Sequence, residues 1–104
     1  MRDISGYEGK YAITSCGKIY SYKRKIFLTP GERRWGYLKV SLCKNGKVKD
    51  YYVHRLVAEA YLENPEHKTQ VNHKDFNKKN NSLCNLEWAT PSENIIHYKE
   101  SIKI

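Results

Sequence analysis

Gln70-Val71-Asn72-His73-Lys74-Asp75, a polar loop from Phe76 to Ser82, then Leu83-Cys84-Asn85-Leu86-Glu87-Trp88-Ala89-Thr90 and Pro91-Ser92-Glu93-Asn94 decide how this chain folds. The short apolar approach at Gln70-Val71 reads as one strand and Leu83 to Thr90 as a second. A helix must start next: Thr90 is its N-cap, Pro91 its first residue, and Glu93 completes a capping box three residues after the cap. Asn94 and His97, three apart on that helix, project from one face. Strand, loop, strand and capped helix form the layout.

Upstream, His54 to Leu62 carries apolar residues at helical spacing and stops at Asn64-Pro65, which predicts a short core helix. His54, where strand becomes helix, reads as a packed or capping histidine. Before it runs the clearest hairpin, Gly36 to Cys43, then Lys44-Asn45-Gly46-Lys47, then Val48 to Val53. Asn45-Gly46 supplies the two positive-φ residues of a type I′ turn. That turn sets Leu42 opposite Lys49, Val40 opposite Tyr51 and Leu38 opposite Val53 on a mostly apolar face. The other face pairs Ser41 with Asp50, Lys39 with Tyr52 and Tyr37 with His54, groups suited to phosphate and base edges. Glycines at 6, 9, 17, 31, 36 and 46 give the stretch to Val53 the texture of short antiparallel strands.

The predicted class is therefore α+β: an antiparallel β-rich N-terminal module with a short helix, followed by a finger of two strands and a helix. We expect one compact unit over 1–104, divided into a β-rich module (1–53), a helix and linker (54–69) and the finger (70–101).

The chain has 104 residues, with 19 Lys and Arg against 11 Asp and Glu, for a net charge of +8. One modest core is what this length supports. The charge favours a polyanion, nucleic acid first, over an acidic partner. No apolar run approaches the roughly 18 residues needed to cross a bilayer, and Met1-Arg2-Asp3-Ile4-Ser5 lacks a signal-peptide core, so a cytoplasmic protein without a membrane partner is expected. Cys16, Cys43 and Cys84 are odd in number and form no Cys-x-x-Cys pair, which argues against disulfides and structural zinc and makes them reduced fillers.

Taken together, Val71-Asn72-His73-Lys74-Asp75, Asn81, Asn85 to Thr90, Glu93-Asn94 and His97 closely resemble the HNH endonuclease motif. The likeness extends forward: Gly6 to Ser21 resembles the glycine-tyrosine-rich module preceding HNH domains in phage-encoded homing nucleases, and Val53 to Ala58 resembles the link between them. Three matched blocks in order are a far more specific signal than a lone His-Asn-His spacing.

The resemblance implies a ββα-metal finger that clamps one divalent cation beside a scissile phosphate. It assigns Asn72 and Asn94 as metal ligands, His73 as general base, Asn85 as the asparagine that holds the loop, and His97 as a phosphate or leaving-group contact. Amide oxygens select Mg²⁺ or Mn²⁺ over zinc. An imidazole with a pKa near 6.5 is independently suited to take a proton from water. Two departures stand out. Many relatives carry Asp where this chain has Asn72, and commonly Gly where it has Phe76. A left-handed backbone at 76 would cost a non-Gly residue roughly 1 to 2 kcal/mol. Packing is the expected role of the Phe76 ring, stacking at a DNA surface the alternative. Trp88 is expected to be core.

Double-stranded DNA is the expected partner, met by Lys23, Arg24, Lys25, Arg33, Arg34, Tyr37, Lys39, Tyr52, Lys74 and Lys78. The expected activity is metal-dependent phosphodiester hydrolysis within a phage-infected cell. With the chain ending at Ile104, a nickase of limited sequence specificity is expected, unless a homodimer or a second phage protein adds to it. The alternative is a catalytically weak HNH-like module that binds DNA or protein in phage packaging or against host defence.

Overall fold

The computed structural model describes residues 1–32 and 36–93. Among the described residues three antiparallel sheets surround a central helix. The first, in the order β1-β2-β3-β4, joins Arg2–Asp3, Tyr11–Ile13, Ile19–Ser21 and Ile26–Leu28. The second, β5-β6-β7, joins Gly31–Glu32, Leu38–Lys44 and Lys47–Tyr52. Helix α1 follows at Val53–Tyr61, and a two-stranded ribbon pairs β8 (Gln70–His73) with β9 (Leu86–Ala89). The α+β reading holds.

The hairpin turn is as expected: Asn45 and Gly46 both have positive φ, 53° and 74°. The register places Leu42 opposite Lys49, Val40 opposite Tyr51, Ser41 opposite Asp50 and Lys39 opposite Tyr52. Two expected pairs do not form, because the ladder ends at Lys39 and Tyr52 and the chain turns helical at Val53. Leu38 instead pairs with Glu32 of β5. Helix α1 thus begins one residue earlier than predicted, directly out of β7 and without a side-chain cap. It buries Val53, Leu56 and Val57, the i, i+3, i+4 face.

That face joins Ile4, Ile13 and Ile19 of the first sheet, Val40 and Leu42 of the second, and Val71 and Leu86 of the ribbon in one core. Trp88 packs against the same cluster, and its indole N–H donates to the Leu62 carbonyl at 3.2 Å. The second finger strand is shorter than predicted. Leu83–Asn85 form a 3-10 turn, because the Leu83 N–H is drawn to the Ser15 carbonyl at 2.7 Å and only Leu86–Ala89 reach β8. The three cysteines are unpaired, and all are exposed rather than filling the core. Among the described residues no helix is long and apolar enough to cross a membrane.

Candidate active site

Strand β8 alternates, so Val71 and His73 are buried while Gln70 and Asn72 lie on the other side. His73, 5% exposed, is the last residue of the strand. Its Nε2 lies 2.8 Å from Oδ1 of the buried Asn81. With a carbonyl oxygen as acceptor, the proton sits on Nε2 and the basic lone pair on Nδ1. Burial lowers the His73 pKa below the ordinary histidine value, opposed by the Asn81 hydrogen bond and the Asp75 charge. The imidazole is therefore held neutral at pH 7.

The loop after His73 is closed by one carboxylate. Asp75 accepts from the Asn77 N–H at 2.8 Å, from Asn85 Nδ2 at 2.8 Å and from Asn80 Nδ2 at 2.9 Å. Asn85 returns the contact, accepting from the Asp75 N–H at 3.0 Å while its Nδ2 also donates to the Asn80 carbonyl at 2.9 Å. The Asn80 amide, the Asn77 N–H and the Asn85 amide together hold the Asp75 carboxyl below its usual range. Every side-chain polar atom of Asn85 is thus spent inside the loop.

Phe76 has φ +64° and 42% of its surface exposed, so the left-handed strain is present. The Phe76 N–H closes the turn onto the His73 carbonyl at 3.0 Å.

Two further rings face the imidazole. The His54 ring centroid is 5.0 Å from that of His73, and Tyr37 is 6.0 Å from it. Tyr37 also stacks on His54 at 5.1 Å, so this predicted pair meets through its rings although it forms no strand ladder. Burial, with the nearby His73 and Arg55 charges, pushes the His54 pKa down to about 3. Tyr37, Tyr52, His54 and Arg55 line a cleft of about 290 Å³ beside the imidazole. Lys39 sits over the Tyr52 ring at 4.6 Å and Lys78 over Tyr37 at 4.8 Å, which brings four of the expected DNA contacts to one place.

The remaining expected contacts are spread. Lys23 and Arg24 line a different cleft, of about 670 Å³, with Lys10 and Lys44. Lys25 is an exposed turn residue with φ 56°. Lys74 borders a third cleft with Glu87 and Trp88. Asn72 donates its amide to Glu87 Oε1 at 2.9 Å across the ribbon, so its carbonyl oxygen is the atom suited to a cation. Among the described residues no three His, Cys, Asp or Glu side chains form a metal-binding group. Asn94, His97, Arg33 and Arg34 lie outside the described residues. The capping box that starts the last helix is formed: the Glu93 N–H donates to Thr90 Oγ1 at 3.2 Å and the Thr90 N–H to Glu93 Oε1 at 3.0 Å.

Sequence reasoning missed how the N-terminal module braces this loop. Gly17, with φ +87°, lies so close that a Cβ there would stand 3.0 Å from Asn81 Cβ and 3.1 Å from the Asn81 carbonyl oxygen. A positive-φ glycine is the one signal that could have flagged it. Gly17→Ala is expected to lower stability by about 2 kcal/mol or more through strain and clash. Gly9→Ala is the control, since Gly9 has φ +75° but nothing within 4 Å of a Cβ. A larger loss of urea midpoint for Gly17→Ala, accompanied by lost cleavage, is the expected contrast.

Residues 51–95 match the family model described as HNH endonuclease, and residues 2–57 match the NUMOD4 motif. The chain is 43% identical over 94 residues to the DNA endonuclease I-HmuI of Bacillus phage SP01, covering 90% of this chain and 54% of that one. It is 46% identical over 88 residues to the HNH endonuclease L245 of Acanthamoeba polyphaga mimivirus, covering 85% of this chain and 27% of the relative. The solved structure titled as DNA binding and cleavage by the HNH homing endonuclease I-HmuI superposes with a TM-score of 0.91 at 39% identity. That match covers 99% of this chain and 59% of the other, so the chain spans little more than half of I-HmuI.

Proposed function

We propose, from the premise that the chain carries an HNH endonuclease domain over residues 51–95 behind a NUMOD4 motif over 2–57, that it hydrolyses phosphodiester bonds of double-stranded DNA, one strand at a time, with a divalent cation. The observation that carries the reading is the buried His73 imidazole, neutral and fixed through Nε2 on Asn81. Its Nδ1 is the nitrogen that takes the proton from the attacking water.

Asn72, whose amide N–H₂ is taken by Glu87, keeps a carbonyl oxygen that fits a hard cation, and Asn94 is assigned as the second ligand by its place in the motif. Mg²⁺ or Mn²⁺ bound there would polarise the phosphate and stabilise the departing 3′-oxyanion. Asn85 keeps the loop closed so that His73 holds its aim. His97 is assigned to the phosphate or leaving group. Lys39 and Lys78, beside the Tyr37 and Tyr52 rings, hold flanking phosphates, and Lys23, Arg24, Lys25, Arg33, Arg34 and Lys74 extend the positive track along the duplex. The host cell interior is where such a substrate is met.

Supercoiled plasmid tests the reading. With Mg²⁺ or Mn²⁺ the expected result is conversion to open circles before linear DNA, stopped by EDTA. Binding should fall on the order of a thousandfold between 50 and 200 mM salt if about half a dozen phosphates are contacted. Salt-sensitive binding without nicking under Mg²⁺, Mn²⁺ or Ni²⁺ would favour the non-catalytic module.

A further inference from the structure

His54 is 7% exposed, and its Nδ1, shut off from solvent, has no hydrogen-bond partner among the described residues. Capping does not account for it, because α1 starts without a side-chain cap. Packing does not call for an imidazole either. The ring centroid lies 5.1 Å from Tyr37, 5.4 Å from Tyr52 and 5.0 Å from His73, and phenylalanine would fill that place with no polar atom left over. A buried nitrogen without a partner is a standing cost, which a partner arriving from outside removes.

The cleft of about 290 Å³ defines the chemistry of that partner. His54 lines it with Tyr37, Tyr52, Arg55, Gln70 and Val71, and no carboxylate is among these residues. Lys39 lies 4.6 Å over the Tyr52 ring and Lys78 4.8 Å over the Tyr37 ring, so two of the walls carry positive charge. Arg55 is anchored on the Thr69 carbonyl at 2.8 Å, with Glu59 3.9 Å from its other nitrogen. An anionic oxygen suits such a cleft. Burial keeps the His54 ring neutral, so it always carries one N–H to donate. Rotation about the Cβ–Cγ bond of a histidine is soft, which lets a bound oxygen draw that N–H toward itself.

Resting on the endonuclease reading above, we infer that His54 touches the substrate: its N–H donates to a non-bridging oxygen of the phosphate whose attacking water is deprotonated by His73. Two rings 5.0 Å apart can serve one phosphate. His54 itself moves no proton. It supplies a hydrogen bond that strengthens as charge builds on the phosphate oxygens in the transition state, as an oxyanion donor does.

The test is His54→Phe, which keeps an aromatic ring and removes both nitrogens. Its Tm is expected to equal or exceed that of the wild-type chain, while nicking of supercoiled plasmid with Mg²⁺ slows by about tenfold or more. A second measurement needs no turnover. A nick made by the wild-type chain is mapped and built into a duplex whose cleaved phosphate is replaced by a methylphosphonate, one anionic oxygen fewer, and binding is measured in EDTA. That replacement should weaken wild-type binding about tenfold more than binding by His54→Phe. If His54→Phe melts below wild type, the binding comparison, made below both melting temperatures, decides alone. Equal methylphosphonate penalties for the two chains would overturn the inference, as would a folded His54→Phe chain that nicks within about threefold of wild type. Those outcomes leave the endonuclease reading intact. A wild-type chain that nicks nothing would remove that reading and the role of His54 with it.

Discussion

Alanine in place of His73 is expected to slow metal-dependent nicking by about 10² to 10⁴-fold, the range a positioned general base supplies. DNA affinity should change little, because the imidazole is buried and the cations proposed to meet phosphate, Lys39 and Lys78, are other side chains. The substitution also strands the buried Asn81 carbonyl oxygen, so a stability loss of about 1 to 3 kcal/mol accompanies it. Two measurements separate chemistry from collapse. Added imidazole should restore part of the rate by occupying the space left by the side chain. The wild-type pH profile should also keep its activity below pH 6.5, because burial lowers the His73 pKa and the neutral base survives further into acid than a solvent-exposed histidine. Equal nicking by wild type and His73→Ala, or an acid limb above pH 6.5, would remove His73 from the role of base.

Asn85→Ala is expected to cost about 2 to 4 kcal/mol, because three hydrogen bonds end on one side chain and the Asp75 carboxylate loses a donor in the process. All three tie residues 75 and 80 to the turn before β9, so the closure of the loop depends on them. Asn85→Asp should do at least as much harm despite its shape, since it keeps the acceptor for the Asp75 N–H but sets a second carboxylate against the Asp75 one. Urea midpoints give the order. A loss below about 0.5 kcal/mol for both variants would mean that the loop closes without Asn85.

What was legible in the residues was local. Asn45-Gly46 set the hairpin register, and Thr90 with Glu93 set the start of the last helix, because each signal acts over two to four residues. The end of the hairpin was misread where two local preferences compete: Val53 and His54 extend the alternation of β7, yet the apolar spacing of 53, 56 and 57 draws them into α1. The His73 block is identifiable from its motif, whereas Asn81, though part of that motif, carries no sign that it is the hydrogen-bond partner of His73, since the seven residues between them have no periodic pattern. The contacts of Gly17 with Asn81, and of Ser15 with Leu83, span more than sixty residues and leave almost no trace in sequence.

Those last two contacts have a practical corollary. The Thr14 to Lys18 turn of the front module works as a splint on the loop that holds the His73 imidazole. Grafting the rear half onto a foreign docking domain would therefore move the His73 loop without its brace, unless a glycine able to hold a positive φ against Asn81 came with it.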